Sequence, residues 1–161
     1  RYESKSARSE SDDGGARLWQ KKHQDFMKQK GVSWTTLEPP TSTKASSWYA
    51  LCSPREKEII SCACALHGDN LVYVDTNPSI ERTTMSCEDI LCTITTSSSY
   101  YLKKQERYMT GREALSIQGF PLGFLKPDTD LSDPMLGDMA GNAFSSTVCA
   151  AVLLGVFAHV P

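Results

Sequence analysis

The sequence lacks three features that would assign it to a broad class at once. Its 161 residues carry 17 basic and 19 acidic side chains, so no global basic field draws it to nucleic acid. Binding to nucleic acid would require a local basic patch. The polar first 16 residues have no apolar core of a signal peptide. The longest apolar run, Val148–Val160, has 13 residues. A membrane-spanning helix needs about 20, so we expect a deeply buried helix and no membrane partner.

Without a secretory signal, the six cysteines predict a reduced intracellular compartment rather than a disulfide framework. The segment Cys62-Ala-Cys64-Ala-Leu-His67 has the residue types of a zinc site. On the predicted helix, however, the two cysteines lie about 200° apart around the axis and face away from each other. We therefore expect free cysteines and no metal site.

Composition divides the chain into three parts. Residues 1–15 are Ser-rich and charged, and we expect a flexible linker. Residues 16–49 predict a helix that ends before Gly31, followed by a loop with no assigned role. Residues 50–161 are long enough for one domain. Because the chain starts at Arg1 rather than at a methionine, we expect it to be a piece of a longer protein.

Two helices have clear start signals. Ser53-Pro54-Arg55-Glu56 predicts a capping box at the start of a helix that ends at His67-Gly68. Thr110-Gly111-Arg112-Glu113 predicts a second capping box, and Gly119 closes that helix.

Other segments are assigned from their pattern alone. Leu71–Val74 and Asp89–Thr96 are predicted strands, the second with alternating faces. Residues 122–137 are predicted to be a loop, and Asn142 or Ser145 is predicted to cap the apolar final helix, which runs through Phe157. The sequence thus predicts a mixed α and β fold.

One pair of motifs carries a family resemblance. Arg107–Pro121 reads RYMTGREALSIQGFP, and Asp138-Met-Ala-Gly-Asn142-Ala-Phe follows about twenty residues later. In order and spacing, the two resemble the last two conserved blocks of DNA (cytosine-5) methyltransferases. A looser likeness extends upstream through Tyr100-Tyr101-Leu102, residues 89–96 and Glu81-Arg82, so that the resemblance covers roughly residues 50–157.

The resemblance implies an α/β fold, namely the C-terminal fragment of a Rossmann-like S-adenosylmethionine-dependent methyltransferase with a reduced α+β recognition lobe. It implies a nuclear enzyme that flips a cytosine out of DNA and methylates C5 from S-adenosylmethionine after a cysteine thiolate adds to C6. In the family that cysteine follows a proline, but here Thr41 follows Pro39-Pro40 and no cysteine follows a proline. The family's Gly-rich cofactor loop is also missing. We therefore expect no catalytic residue in this chain, which alone is predicted to be inactive, and a catalytic lobe encoded upstream.

The resemblance also implies three sets of site residues. The last block places Gly141 and Asn142 beside the cofactor, although Asn142 also suits a plain helix N-cap. Hydroxyls commonly bond phosphate oxygens, so the threonines of the recognition region imply DNA contacts, although a Thr-rich strand is the plainer interpretation. The charged pair after Thr110 braces the recognition region against the catalytic lobe in the family. The residues of the last two sets are Thr93, Thr95 and Thr96, and Arg112 and Glu113.

Two alternatives remain open at this stage. The chain could be a non-catalytic, methyltransferase-like interaction or binding module that kept the fold and lost the chemistry. It could also be an unrelated helical protein whose motifs match by chance, since capping boxes are common.

The apolar final helix generates a first prediction. If the lobe that covers it is absent, one face of the helix stays exposed, and the isolated chain should self-associate or be poorly soluble. Sedimentation velocity over a range of concentrations should show species larger than a monomer. A monomeric preparation that melts cooperatively would contradict this expectation.

Overall fold

The computed structural model describes residues 13–34, 47–88, 90–121, 123, 125–126 and 130–159. The chain forms two compact units. Unit 1 contains the described residues up to Cys92 together with Ser99–Tyr108, and unit 2 contains Thr93–Ser98 and the chain from Met109 onward. The fold is mixed α/β, as the sequence predicts, with helices and a small antiparallel sheet.

Unit 1 begins with three helices. They are α1 (Asp13–Gln29), α2 (Ser47–Leu51) and α3 (Pro54–His67), and a 3-10 turn at Gly68–Asn70 follows. Helix α1 starts three residues before its predicted start, so residues 13–15 belong to a helix and not to the predicted linker. Residues 1–12 of that linker, and residues 35–46 of the predicted loop, lie outside the described residues.

Helix α3 begins and ends where the sequence predicts. The Ser53 hydroxyl accepts from the Glu56 backbone N–H, and the Glu56 carboxylate accepts from the Ser53 N–H at 2.7 Å. This reciprocal capping box satisfies two backbone donors that the first helical turn would otherwise leave without partners. At the other end, Gly68 adopts a positive φ of 57° directly after His67.

Four short strands complete unit 1. They are β1 (Tyr73–Asp75), β2 (Met85–Ser86), β3 (Tyr100–Leu102) and β4 (Arg107–Tyr108), and they form an antiparallel sheet in the order β2-β1-β3-β4. The first strand overlaps the predicted segment Leu71–Val74 and is shifted toward the C-terminus. The central register pairs Val74 with Tyr101. The aromatic pair Tyr100 and Tyr101 lies in β3, and both side chains are buried.

The predicted strand at Asp89–Thr96 is wrong. Residues 90–95 form no strand, and their backbone hydrogen-bonds to side chains instead. The Tyr73 hydroxyl donates to the Ile90 carbonyl at 3.1 Å and accepts from the Cys92 N–H at 3.0 Å. A tyrosine hydroxyl thus takes up backbone groups that a neighbouring strand would bond in a sheet.

The core of unit 1 lies where α1, α3 and the sheet meet. Burying these apolar side chains supplies the main stabilising free energy of the unit, at about 25 cal/mol per Å² of apolar surface. Its fully buried members include Met27, Ile59, Ile60, Cys62, Ala63, Val74 and Tyr101.

A buried polar pair joins α1 to α3 inside this unit. His23 Nδ1 lies 2.8 Å from Glu58 Oε1, and the histidine is almost fully buried. Burial, assisted by the nearby Arg55 charge, lowers the pKa of His23 to about 4. Burial also raises the pKa of Glu58 to about 7. Both shifts disfavour charge, so between about pH 4 and pH 7 a neutral Glu58 donates a hydrogen bond to a neutral imidazole.

The described residues of unit 2 form three helices. They are α4 (Gly111–Ile117), α5 (Asp133–Asn142) and α6 (Ser146–Phe157). The predicted loop over residues 122–137 is therefore wrong at its end, because Ser132 caps α5 through the Met135 N–H and Pro134 occupies its first turn. Asn142 ends α5 and does not cap α6, whose N-cap is Ser145.

Helix α6 does not have the deep burial that its composition predicts. Within the described part of the chain, none of its side chains is buried, and Leu154 and Phe157 are each about 70% exposed. The apolar residues find no described element of this chain to pack against. The helix is therefore exposed among the described residues, and a lobe that covers it stays a prediction.

The segment Asp133–Phe157 is long and apolar enough to be a candidate membrane span by composition. The structure divides it into two helices, because residues 143–145 are not helical. Helix α6 alone has 12 residues, or about 18 Å of helix, whereas a bilayer core is about 30 Å thick. The expectation of no membrane partner stays a prediction.

The buried pair generates a prediction about pH. Glu58 has a raised pKa in the folded chain, so the stability it contributes is present below pH 4.5 and is lost as pH rises through about 7. In Glu58→Gln, we expect the free energy of unfolding to fall less across this window than in the wild type. Urea unfolding at both ends of the window measures the difference. Equal pH dependence in both proteins would contradict the assignment.

His23 supplies the control because its contribution to stability depends on pH in the opposite direction. Its pKa is lowered, so the stability it contributes is present above pH 6.5 and is lost as pH falls through about 4. His23→Gln should therefore lose less stability than the wild type on acidification, and its difference from the wild type should run in the other direction.

Candidate functional site

Unit 2 is organised around the capping box at the start of α4. The Thr110 hydroxyl accepts from the Glu113 N–H at 3.2 Å, and the Glu113 carboxylate accepts from the Thr110 N–H at 2.8 Å. The same carboxylate oxygen also accepts from the Thr110 hydroxyl. The sequence prediction of this capping box is confirmed. Glu113 therefore has a structural role within unit 2 that needs no second lobe.

The residue after the cap must be glycine because α5 passes against it. A Cβ built on Gly111 would lie 2.4 Å from the Asp133 carbonyl oxygen and 2.6 Å from the Gly137 nitrogen. The Gly111 N–H donates to the Asp133 carboxylate at 2.8 Å. The glycine lowers helix propensity but permits backbone contact between α4 and α5.

Gln118 connects the end of α4 to both later helices. Its side-chain amide donates to the Ala140 carbonyl of α5 at 3.1 Å. Its backbone carbonyl accepts from the Ser146 N–H, at the first turn of α6, at 2.8 Å. The Gln-Gly-Phe-Pro segment of the motif is therefore the junction of the three helices of unit 2.

Gly141 lies directly against the threonine segment. A Cβ at this position would be 2.2 Å from the Thr96 nitrogen and 2.4 Å from the Thr95 carbonyl carbon. No side chain fits there without moving the backbone. The structure thus brings together the predicted cofactor residue Gly141 and two of the predicted DNA-binding threonines, which are separated by 45 residues or more in the sequence.

The three predicted DNA-binding threonines lie on a loop rather than on a strand. Thr93, Thr95 and Thr96 are all exposed, whereas Ile94 between them is buried. The loop is fixed by a turn in which the Ser98 N–H donates to the Thr95 carbonyl and the Thr95 N–H donates to the Ser98 hydroxyl. The loop therefore presents hydroxyls to solvent in a fixed position, and DNA binding by them stays a prediction.

Asn142 is exposed at the end of α5. Its amide nitrogen donates to the Asp138 carbonyl one turn earlier at 2.9 Å. Together with Ala143, Asp138, Met135 and Met139, it lines an open depression of about 490 Å³. Its proposed N-cap role is wrong, since α6 begins after Ser145.

Binding of S-adenosylmethionine in this depression stays a prediction. Two thioether side chains, one carboxylate and one amide suit the methionine end of that molecule, in which a sulfonium and an ammonium are cationic. The depression is open, and its five lining residues do not enclose an adenosine. Among the described residues, the depression is thus an open surface feature and not a closed pocket.

The remaining predicted site residues are the charged pair on α4 and the cysteines considered for a metal site. Arg112 is exposed on α4, next to the capping residue Glu113, and the bracing role of the pair stays a prediction. Cys62 is buried and Cys64 is half-buried, and both thiols are free. Among the described residues there is no group of three or more side chains that could hold a metal ion.

Sequence reasoning missed two histidine contacts. His23 is paired with Glu58, 35 residues away, and His67 Nδ1 lies 3.1 Å from Cys87 Sγ, 20 residues away. Neither pair forms a local motif. The Ser132-Asp133-Pro134 start of α5 was also missed, although a cap followed by proline in the first turn is a recognisable signal.

Comparison with protein-family models gives no match for the chain, and comparison with curated proteins gives no relative.

The contact at Gly141 generates a matched pair of variants. Gly141→Ala would place a methyl group into the backbone of residues 95 and 96, and should destabilise unit 2 by about 1–3 kcal/mol. Gly137→Ala, on the same helix, meets no described atom within 4 Å and should be neutral or stabilise by up to about 1 kcal/mol. Urea unfolding of both variants is the measurement. Equal stability would refute the close approach.

Proposed function

We propose that the chain is the C-terminal part of a Rossmann-like DNA (cytosine-5) methyltransferase. In this proposal it supplies target-recognition and cofactor-closing elements of a nuclear enzyme, and the catalytic cysteine lies outside the chain. The observation that supports it is which segments of the chain make up unit 2. The capped helix α4, the end of α5 at Gly141-Asn142 and the threonine loop are separate in the sequence and belong to one compact unit.

The direct contact between Gly141 and the threonine loop fixes the distance between these two segments. A loop that contacts DNA and a helix end that contacts cofactor are held at fixed separation when their backbones touch. Threonine hydroxyls can donate to phosphate oxygens, which position a protein on DNA without reading sequence. Gln118 adds to this rigidity through its hydrogen bond to Ala140, next to Gly141.

At the cofactor end, Asn142 and Asp138 are the residues that would hold the methionine portion of S-adenosylmethionine. The bound cofactor would supply the methyl group. The Asn142 amide nitrogen is already engaged by the Asp138 carbonyl, which fixes the side chain and directs its oxygen as an acceptor. The Asp138 side chain is exposed beside it and can pair with an ammonium group.

The exposure of α6 supports a second structural lobe that packs on this chain. An apolar helix with no buried side chain among the described residues is costly in water and is typical of an interface. The same exposure also favours the second candidate function, a non-catalytic methyltransferase-like interaction module. The two candidates differ in whether the complete protein forms a covalent bond to cytosine.

Covalent trapping tests the proposed function. The protein translated from the complete reading frame is incubated with S-adenosylmethionine and a DNA duplex that contains 5-fluorocytosine, which blocks release of the enzyme thiolate. We expect a protein–DNA complex that survives denaturing electrophoresis, and none from the 161-residue chain alone. A complete protein that binds this DNA without trapping would contradict the proposal and favour the interaction module.

Two variants connect the trapping result to this chain. Asn142→Ala removes a side chain of the proposed cofactor edge, and should raise the S-adenosylmethionine concentration that half-saturates trapping by about tenfold, the value of one hydrogen bond. Gly137→Ala, on the same helix and outside the depression, should leave that concentration unchanged. An unchanged concentration in Asn142→Ala would remove Asn142 from the cofactor site.

A further inference from the structure

Unit 1 holds an exposed thiol next to an imidazole. Cys87 Sγ lies 3.1 Å from His67 Nδ1, although the two residues are 20 positions apart in the sequence. Cys87 is exposed and His67 is half-buried. A nucleophile and a base within hydrogen-bond distance, brought together by the fold and open to solvent, are the minimal arrangement for base-assisted attack by sulfur.

Both side chains are held by secondary structure. His67 is the last residue of α3, which starts at a capping box and packs into the core of unit 1. Cys87 follows β2 in a turn that the Ser86 hydroxyl fixes, since it accepts from the Glu88 N–H at 3.0 Å and donates to the Glu88 carbonyl at 3.1 Å. The contact between the thiol and the imidazole is therefore built by the fold.

The position of His67 on α3 also suits a base. The carbonyl groups at the C-terminus of a helix carry partial negative charge and stabilise a nearby cation. An imidazole in the last turn that takes a proton becomes such a cation.

We propose that Cys87 is a thiol-modification site at which His67 assists exchange with small disulfides. The His67 Nδ1 atom takes the Cys87 proton while Cys87 Sγ attacks one sulfur of a disulfide R–S–S–R. The S–S bond of the small molecule breaks as the new Cys87–S–S–R bond forms. The leaving thiolate takes the proton from His67 and departs as R–SH, so that Cys87 is oxidised and one R–S group is reduced.

The chain contains its own comparator thiol. Cys87 and Cys92 are the two exposed cysteines, whereas Cys52 and Cys62 are buried. Cys92 also lies outside regular secondary structure, and the hydrogen bonds of its described backbone go to tyrosine hydroxyls rather than to a histidine. Because the Cys92 side chain also hydrogen-bonds to the Tyr73 hydroxyl, the His67 variants, and not the difference between the two thiols alone, report on the imidazole.

The experiment follows the reaction of the whole chain with 5,5′-dithiobis(2-nitrobenzoate), an aromatic disulfide that releases a coloured thiolate. We expect one fast thiol. It should disappear in Cys87→Ser and persist in Cys92→Ser. A positioned base contributes about 100-fold or more to the rate of a proton-transfer step. In His67→Gln the Cys87 rate should therefore fall by about tenfold or more, while the Cys92 rate stays unchanged.

Two further readouts separate assistance by His67 from a purely structural role. Added imidazole should restore part of the Cys87 rate in His67→Ala and should not accelerate Cys92. If one of the His67 substitutions unfolds the chain, the buried Cys52 and Cys62 also react, which identifies the unfolded variant. The Cys87 rate, with and without added imidazole, is then measured in the His67 variant that stays folded. Equal rates for Cys87 and Cys92 in the wild type, or an unchanged Cys87 rate in both His67 variants, would overturn the proposal.

Discussion

Backbone-to-backbone contact at two glycines is the constraint on which unit 2 depends. At Gly111 and at Gly141 there is no space for a Cβ atom, because the neighbouring main chain lies at 2.2 to 2.6 Å from where that atom would be. Side chains in a packed interior can adjust by changing rotamer, but main-chain atoms cannot move without shifting whole elements. The relative placement of α4, α5 and the threonine loop follows from these two contacts.

The two glycines also change how the motif is understood. A glycine after a helix N-cap lowers helix propensity, and in isolation it weakens the prediction of α4. In the structure it allows the Asp133 carboxylate to accept from the Gly111 N–H while α5 passes at close range. Gln118 then ties the end of α4 to α5 and α6. The conformational cost at one residue is offset by contacts among three helices.

Local signals made part of this fold predictable, and long-range contacts set the limit. Both capping boxes were predicted because each is contained in four consecutive residues. The strand predicted at 89–96 failed because the Tyr73 hydroxyl, far away in the sequence, bonds the backbone of Ile90 and Cys92. Asn142 was predicted as a possible N-cap of the final helix because the start of α5 was not predicted. A helix that begins at Asp133 reaches Asn142 at its end. The composition of α6 predicted burial, but burial requires a surface to pack on.

The proposed function makes this chain the last part of a cytosine-5 methyltransferase whose catalytic residues are encoded elsewhere in the same reading frame. The most direct measurement is to sequence the transcript upstream of the Arg1 codon. The account predicts an open frame of roughly one further domain, on the order of 200 residues, with a Gly-rich strand–turn–helix element and a cysteine that follows a proline. A start codon directly ahead of Arg1 would contradict it, because the protein would then have neither the nucleophile nor the cofactor loop.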